Sequence, residues 1–472
     1  MIYDSIIVGG GVVGTAIFNK LVRIGKKVAL IDKASDVGTG ASKANSGLVH
    51  AGYDPEPGSL KAKLNVRGSE LFPKLSKRLH VPFKRTGALV VGGDREMIER
   101  LYERGKRNGV KKLSILNREE ILKIVPDLKE GNDYALYAKT AGIVSPYLLT
   151  IALADEGILN GGKVYLEEDI EKVERDGAIF KVTTKKNVFL AKNIINSAGA
   201  GYNEVAKLLK SEEYPLTFRR GEYFVFSNTT KLAVPCTIFP LPTKLGKGVL
   251  ITPTVDGNFL IGPTSEEGED IAKTTDAGLN DIKKKAGLML NNINFKNAIR
   301  EFSGVRVISG DDFIIEKSQK QKGVINLAGI CSPGLSSAPA IAEYVAELLG
   351  YDLKEKENLK ELKDYTLLKN LPLNRQKALI KENPDYGEVV CKCEKITKGD
   401  IISALNRPLK IRSVDGIKRR TNAGMGGCQG GFCFTKVVNL ILKSRKIKYE
   451  EVLKENRGSE VAVGNIREVS KW

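Results

Sequence analysis

The sequence is poor in histidine, with two in 472 residues, and holds only six cysteines, four methionines and one tryptophan. The scarcity confines imidazole acid–base chemistry near neutral pH to His50 and His80. Long apolar runs are missing too: none approaches the roughly 18 to 20 residues of a membrane span, so no integral span is expected. The opening Met1-Ile2-Tyr3-Asp4 passes into a strand without the basic segment and apolar core of a secretory leader. The expected location is the cytoplasm, with any membrane association made through a partner. A disulfide framework is also lacking. Two close cysteine pairs and two isolated cysteines suit metal ligation in a reducing compartment better than secreted cross-links.

What is present is length, basic charge and two motif clusters. A chain of this length, 42% hydrophobic, can build two or three domains with cores of their own. The net charge is +19, and residues 351–472, with 26 Lys and Arg against 16 Asp and Glu, carry +10 of it. Acidic residues are interspersed through that quarter, so it reads as a generally basic surface and no nucleic-acid partner is expected.

At the N-terminus, residues 2–8 read as a buried strand, followed by Gly9-Gly10-Gly11-Val12-Val13-Gly14, a helix to about Ile24, and a second strand from Lys27 to Ile31 that ends at Asp32. This is βαβ order. Gly9 permits the tight turn, Gly11 lets the backbone approach a pyrophosphate, and Gly14 lets the helix pack on the strand with its N-terminus toward the phosphates. Asp32 stands where an acid accepts a ribose hydroxyl. NAD and FAD share this fingerprint. The small-residue loop from Gly38 through Ser42, Asn45, Ser46 and Gly47 to Gly52 suits a long, wrapped cofactor, which favours FAD. Near the end of the large domain, Asn326 to Pro339 closes a strand and opens a helix. A helix N-terminus there would stabilise electron density on a reduced flavin.

The second cluster lies near the C-terminus: Cys391-Lys392-Cys393, then Cys428 and Cys433 inside a glycine-rich loop. Four thiolates suit zinc or an iron–sulfur centre alike. The spacing is C-x-C, 34 intervening residues, then C-x₄-C, unlike the paired C-x₂-C of structural zinc. Amides of Gly426-Gly427 and Gly430-Gly431 are placed to hydrogen-bond cluster sulfurs. Cys236 and Cys331 lack close partners and read as small buried hydrophobes.

Gly9 to Gly14, Asp32-Lys33, Asn45 to Gly52, Pro57 to Ala62, Arg220-Gly221-Glu222-Tyr223, Thr252 to Asn258 and Ser332-Pro333-Gly334-Leu335 together resemble the D-amino-acid-oxidase-type FAD oxidoreductases. Within them the chain is most similar to glycerol-3-phosphate dehydrogenases of the anaerobic, multi-subunit kind and to L-2-hydroxyglutarate dehydrogenases. Separately, Cys391 to Cys433, with Arg419 to Gly426, resembles the bacterioferritin-associated-ferredoxin-like [2Fe-2S] module. The resemblance implies an α/β fold: a Rossmann-like FAD-binding domain, an interleaved α+β substrate domain, and a small, mostly helical iron–sulfur domain. Expected FAD contacts are Gly9, Gly11, Gly14, Asp32, Lys33, Ser42, Asn45, Ser46, Gly47, Ala198, Gly199, Gly329, Gly334, Leu335 and Ser336. The expected ligands of a [2Fe-2S] cluster are Cys391, Cys393, Cys428 and Cys433.

The resemblance also places His50 beside the flavin ring, which makes it the candidate base, while His80 reads as a surface residue at a helix end. Arg306 matches the family's substrate-anchoring arginine, and a guanidinium fork suits phosphate or carboxylate equally. Arg220 and Lys244 are weaker anchors. The expected activity is oxidation of glycerol 3-phosphate, with L-2-hydroxyglutarate second and a non-catalytic electron-transfer subunit as an alternative of another class. A zinc-containing nucleic-acid binder is a third class. The expected partners are a small anionic hydroxy substrate and an electron-accepting protein subunit, in an oligomer. The FAD domain is expected from segments 1–80, 145–212 and 320–350, and the substrate domain from 81–144 and 213–319. A connector is expected over 351–385, the cluster domain over 386–446, and a tail without identifiable chemistry over 447–472.

Overall fold

The computed structural model describes residues 1–242, 248–268 and 273–464. The strand Ile2–Val8 is buried almost throughout, which is why its run of isoleucine and valine does not alternate with polar residues. It lies in parallel between Val28–Asp32 and Val188–Asn196, and the sheet extends to Lys163–Leu166 on one side and Ile179–Thr184 and Ile170–Asp176 on the other. Val324–Ala328 also pairs in parallel with Val188–Asn196. Ile314–Lys317 joins this sheet through Val324–Ala328, although its position in the chain falls within the segment expected to build the substrate domain.

Helices cover the sheet. Val12–Arg23, Pro146–Leu159, Leu60–Arg78 and Gly334–Leu348 pack against one another, burying Ile17, Phe18, Leu21, Leu149, Phe72 and Ile341 in one core. The approach of Leu60–Arg78 to Gly334–Leu348 is close: a Cβ on Gly68 would stand 2.0 Å from the Ser336 carbonyl oxygen.

A second, nine-stranded sheet is built from Ala88–Gly92, Leu113–Asn117, Tyr134–Ala138 and strands between Thr217 and Ile308. Its spine is the long antiparallel pair Thr217–Phe226 and Ala298–Ile308. Leu250–Pro253 and Phe259–Gly262 form a hairpin in this sheet, with Asp256-Gly257 in its turn. A small sheet of Leu48–Val49, Gly142–Val144 and Phe83–Lys84 joins the two larger units.

Residues 351–385 run back across the first unit, where Leu362 is buried in its core and Glu355 pairs with Arg23 at 2.6 Å. The C-terminal unit has its own core around Ile396, Ile401, Leu405, Ile417, Val438 and Ile441. Its helices are Lys398–Leu405, Val414–Thr421 and Phe434–Arg445. This unit is clamped to the first by buried ion pairs. Asp36 accepts from Arg419 at 3.0 Å and from Arg420 at 2.7 and 2.9 Å, and Asp155 accepts from Arg407 at 2.7 Å.

Candidate active site and cluster site

A single cavity of about 1550 Å³ runs from the glycine turn, past the substrate sheet, to the C-terminal unit. Its size exceeds the roughly 300 to 1,000 Å³ of an ordinary small-molecule site. The cradle at one end is built by glycine. Gly9 has φ +104°, and a Cβ there would stand 2.5 Å from the Ser197 oxygen; on Gly14 it would stand 2.0 Å from the Gly9 oxygen. Only glycine permits that approach of turn, helix and neighbouring strand.

Around the cradle, Gly9, Gly11, Asp32, Lys33, Ser42, Asn45, Ser46 and Gly47 line the cavity, while Gly14 lies behind it and acts through packing. Ala198, Gly199, Gly329, Gly334, Leu335 and Ser336 line it from the other side. Burial raises the Asp32 carboxyl above its ordinary pKa, against the pull of the Ala34 and Gly10 amides that it accepts at 2.7 and 2.5 Å. Ser42 Oγ accepts from the Val12 amide at 2.9 Å and so tethers the loop to the first turn of the helix. Asn45 closes its own loop by accepting from the Gly47 amide at 2.8 Å. The glycine cradle and the length of the cavity fit a dinucleotide.

His50 is buried in the cavity wall just past the small central sheet. Its amide donates to Ser336 Oγ at 2.8 Å, its carbonyl accepts from Asn65 Nδ2 at 2.8 Å, and its Nε2 stands 3.3 Å from Ser332 Oγ. The ring packs against Phe239, with centroids 5.9 Å apart. Arg306 lines the same cavity from Ala298–Ile308. One of its terminal nitrogens donates to the Thr264 carbonyl at 2.9 Å, whereas its Nε is buried without a hydrogen-bond partner among the described residues. The guanidinium fork of a cavity-lining arginine suits an anionic ligand. Tyr223, stacked on Phe302 at 4.8 Å, also lines the cavity; burial pushes its hydroxyl up to about 12 while nearby Arg306 pulls it down. It therefore stays a neutral donor.

The other sequence candidates lie elsewhere. Arg220 is ion-paired with Glu222 at 3.1 Å and with Glu266, outside the cavity lining. Lys244 falls outside the described residues. His80 sits just beyond the Leu60–Arg78 helix, 4.0 Å from Asp364. Cys236 is buried in the second core, and desolvation raises its thiol to about 12. Cys331 differs from the expectation of a buried hydrophobe: it is half-buried and lines the cavity, because it lies in the turn ahead of the Gly334–Leu348 helix rather than in a strand.

In the C-terminal unit the four thiols lie within electrostatic reach of one another: Cys428 and Cys391 act on Cys393, and Cys391 and Cys428 act on Cys433. Among the described residues no three His, Cys, Asp or Glu side chains group as they would around one ion. Four thiolates from the two loops match the donor set of a [2Fe-2S] centre. A Cβ on Gly426 would stand 2.5 Å from Cys393 Cβ, so glycine brings the two loops together. The Cys428 thiol is held below its ordinary pKa by the Cys393 thiol and by the amides of Gly430, Phe432 and Gly431. Such amides serve a cluster thiolate equally.

Sequence reading missed the wall that the C-terminal unit contributes to the cavity. Lys418, Arg419, Asn422, Met425, Gln429 and Glu455 all line it. Asn422 donates to Asp256 at 2.9 Å, Arg300 donates to Gln429 at 2.8 Å, and Tyr147 Oη lies 3.8 Å from Met425 Sδ. The tail takes part through Glu455, which accepts from Arg419 at 2.8 Å and pairs with Lys43. Apart from Arg419 and Glu455, these partners lie between 129 and 412 residues apart, and no local pattern announces them.

The fold, the glycine cradle and the four thiols define a flavoprotein with an attached iron–sulfur module. The chain belongs to the FAD-dependent oxidoreductase family, whose model matches residues 4–348, and it carries a BFD-like [2Fe-2S] binding domain over residues 389–443. It is 40% identical over 472 residues, 98% of each chain, to a glycerol 3-phosphate dehydrogenase of Caloramator mitchellensis. It is 32% identical over 277 residues, 56% of this chain and 63% of the relative, to the mitochondrial L-2-hydroxyglutarate dehydrogenase of Caenorhabditis briggsae. Among solved structures, the L-α-glycerophosphate oxidase of Mycoplasma pneumoniae, with FAD bound, superposes with a TM-score of 0.72 at 32% identity. That match covers 76% of this chain and 97% of the oxidase.

Proposed function

We propose that this chain is an FAD-dependent dehydrogenase that oxidises glycerol 3-phosphate to dihydroxyacetone phosphate, with a [2Fe-2S] centre serving a partner electron acceptor. The observation that carries the reading is similarity along both whole chains, cluster module included, to a glycerol 3-phosphate dehydrogenase. The L-2-hydroxyglutarate relative matches over a little more than half of this chain.

FAD, when bound, supplies the acceptor for the hydride that leaves the alcohol carbon. The residues of the chain do the rest. Arg306 holds the phosphate with its guanidinium on the cavity wall, and Tyr223 adds a neutral donor beside it. His50 takes the hydroxyl proton as the carbonyl forms; its backbone is fixed by Ser336 and Asn65, and its ring by Ser332 and Phe239. Phe239 and Leu250 give the cavity apolar wall that limits water at the reacting carbon.

The test is anaerobic stopped-flow bleaching of the flavin by glycerol 3-phosphate, L-2-hydroxyglutarate and a panel of other 2-hydroxy acids. Rapid bleaching by glycerol 3-phosphate alone is the expected result. Faster bleaching by L-2-hydroxyglutarate would move the assignment to the carboxylate substrate, and no bleaching by any member would leave a non-catalytic electron-transfer subunit.

A further inference from the structure

The cluster-bearing loop has two unlike faces. On one, Met425, Gln429 and Glu394 line the cavity. On the other, Cys393 is exposed and Phe432 is 84% exposed. Among the described large hydrophobic side chains only Met1 and Val463 are as open to solvent, and each lies near an end of the described chain. Phe432 is next to Cys433 in the loop that starts at Met425, and a Cβ on Gly426 of that loop would stand 2.5 Å from Cys393 Cβ. The exposed ring and the exposed thiol therefore belong to one continuous patch.

The rim of that patch is basic. Lys392 and Lys395 flank Cys393, Lys436 follows Phe432 by about one helical turn, and all three are exposed. None has an acidic partner among the described residues, whereas nearby Lys369 is paired with Glu394, and Lys398 with Asp385 and Glu388. Lys436 stands in the first turn of the Phe434–Arg445 helix, which contains no acidic residue. The helix dipole disfavours a cation there. Stability does not explain the arrangement; an exposed aromatic side chain is the anchor type of an interface, and unpaired lysines near it in the chain give its rim one sign of charge.

We propose that the face of Cys393, Phe432, Lys392, Lys395 and Lys436 is the docking surface for an acidic one-electron carrier protein. The inference rests on the reading above only for the source of the electrons. Removing a hydride and a proton from an alcohol yields two electrons, so two molecules of a one-electron carrier are reduced for each substrate oxidised, and the protons pass to solvent. Electron-transfer encounters use small interfaces, under about 1,200 Å², and a patch of this kind is sufficient. A second copy of this chain is a poor occupant, since it would bring an equally basic face and a net charge of +19.

The test uses the full-length holoprotein and an acidic plant-type ferredoxin as probe, with binding measured by titration calorimetry in the oxidised state and no turnover. Affinity should weaken about tenfold or more between low and physiological salt. The combined Lys392→Gln, Lys395→Gln, Lys436→Gln variant should lose about tenfold or more in affinity, and Phe432→Ser should weaken binding with little change in salt dependence. Both should retain the visible spectrum of the cluster. Where the triple variant loses its cluster, Lys436→Gln alone, outside the thiol loops, gives the answer. Unchanged affinity in these variants, equal binding of a basic cytochrome, or binding replaced by salt-resistant self-association would each overturn the proposal. Binding without flavin bleaching by glycerol 3-phosphate defeats the substrate assignment and leaves this surface standing; bleaching without binding does the reverse.

Discussion

Two side chains carry the proposed chemistry, and their substitutions should separate binding from reaction. Arg306→Lys keeps the charge but removes the planar fork, so KM for glycerol 3-phosphate should rise about tenfold or more with a much smaller change in kcat. Steady-state kinetics with an artificial dye acceptor measures this, and an unchanged KM would remove Arg306 from the anion site. His50→Asn should slow flavin reduction by roughly 10²- to 10⁴-fold and flatten its pH dependence near neutrality. A rate and pH profile like those of the parent would leave His50 a purely structural role. The family resemblance made both residues visible, and for His50 the scarcity of histidine, two in the chain, had already narrowed the choice. Tyr223 stood in a quoted motif, but nothing local marks it as a neighbour of Arg306. That proximity arises from the pairing of Thr217–Phe226 with Ala298–Ile308.

At the scale of elements, close backbone approach decides whether the cofactor sites form. Gly426 lets the Cys428 loop lie against Cys393, where a Cβ would stand at 2.5 Å. Gly426→Ala should therefore lower iron and acid-labile sulfide severalfold in purified protein while flavin content stays near that of the parent. Metal analysis with a visible spectrum reads the result, and full iron loading would show that the loop can give way. The βαβ unit was legible because every level agrees within 32 residues: an apolar strand, a glycine turn, a helical stretch, and a second strand ending in an acid. The hairpin of Leu250–Pro253 and Phe259–Gly262 carries a similar local mark, Asp256-Gly257-Asn258 between β-rich runs. Ile314–Lys317 was not. A four-residue strand carries no mark of which sheet will accept it, and its place is set by pairing with Val324–Ala328.

Across the whole molecule, the C-terminal unit is built into the flavoprotein as a wall of its cavity, and the pin of that attachment is Asp36. The tail, which sequence reading left without a role, is part of the same attachment, since Glu455 joins Arg419 to Lys43. The M. pneumoniae oxidase superposes over 97% of its own length but only 76% of this chain, so about a quarter of this chain has no counterpart in it. The attachment of the C-terminal unit depends on charge. Burial pushes the Asp36 carboxyl up, but Arg420 and Arg419 outweigh it and hold the group below its ordinary pKa. Removing one partner of such a buried pair typically costs about 3 to 5 kcal/mol, because the remaining charges stay buried without compensation. Asp36→Asn should therefore lower the melting temperature clearly at pH 7 and loosen the C-terminal unit, read as faster hydrogen exchange in Val414–Thr421. The sign of the pH effect follows from the depressed pKa. The stabilisation is complete above the unfolded carboxyl value of about 3.9 and is lost as pH falls through the lower folded value. The gap in melting temperature between parent and Asp36→Asn should thus be constant from about pH 7 to pH 5 and narrow below about pH 4, where the parent carboxyl takes up its proton and comes to resemble the amide. A gap that stayed constant into acid, or widened there, would mean that the arginines do not hold Asp36 charged and that the attachment of the two units lies elsewhere.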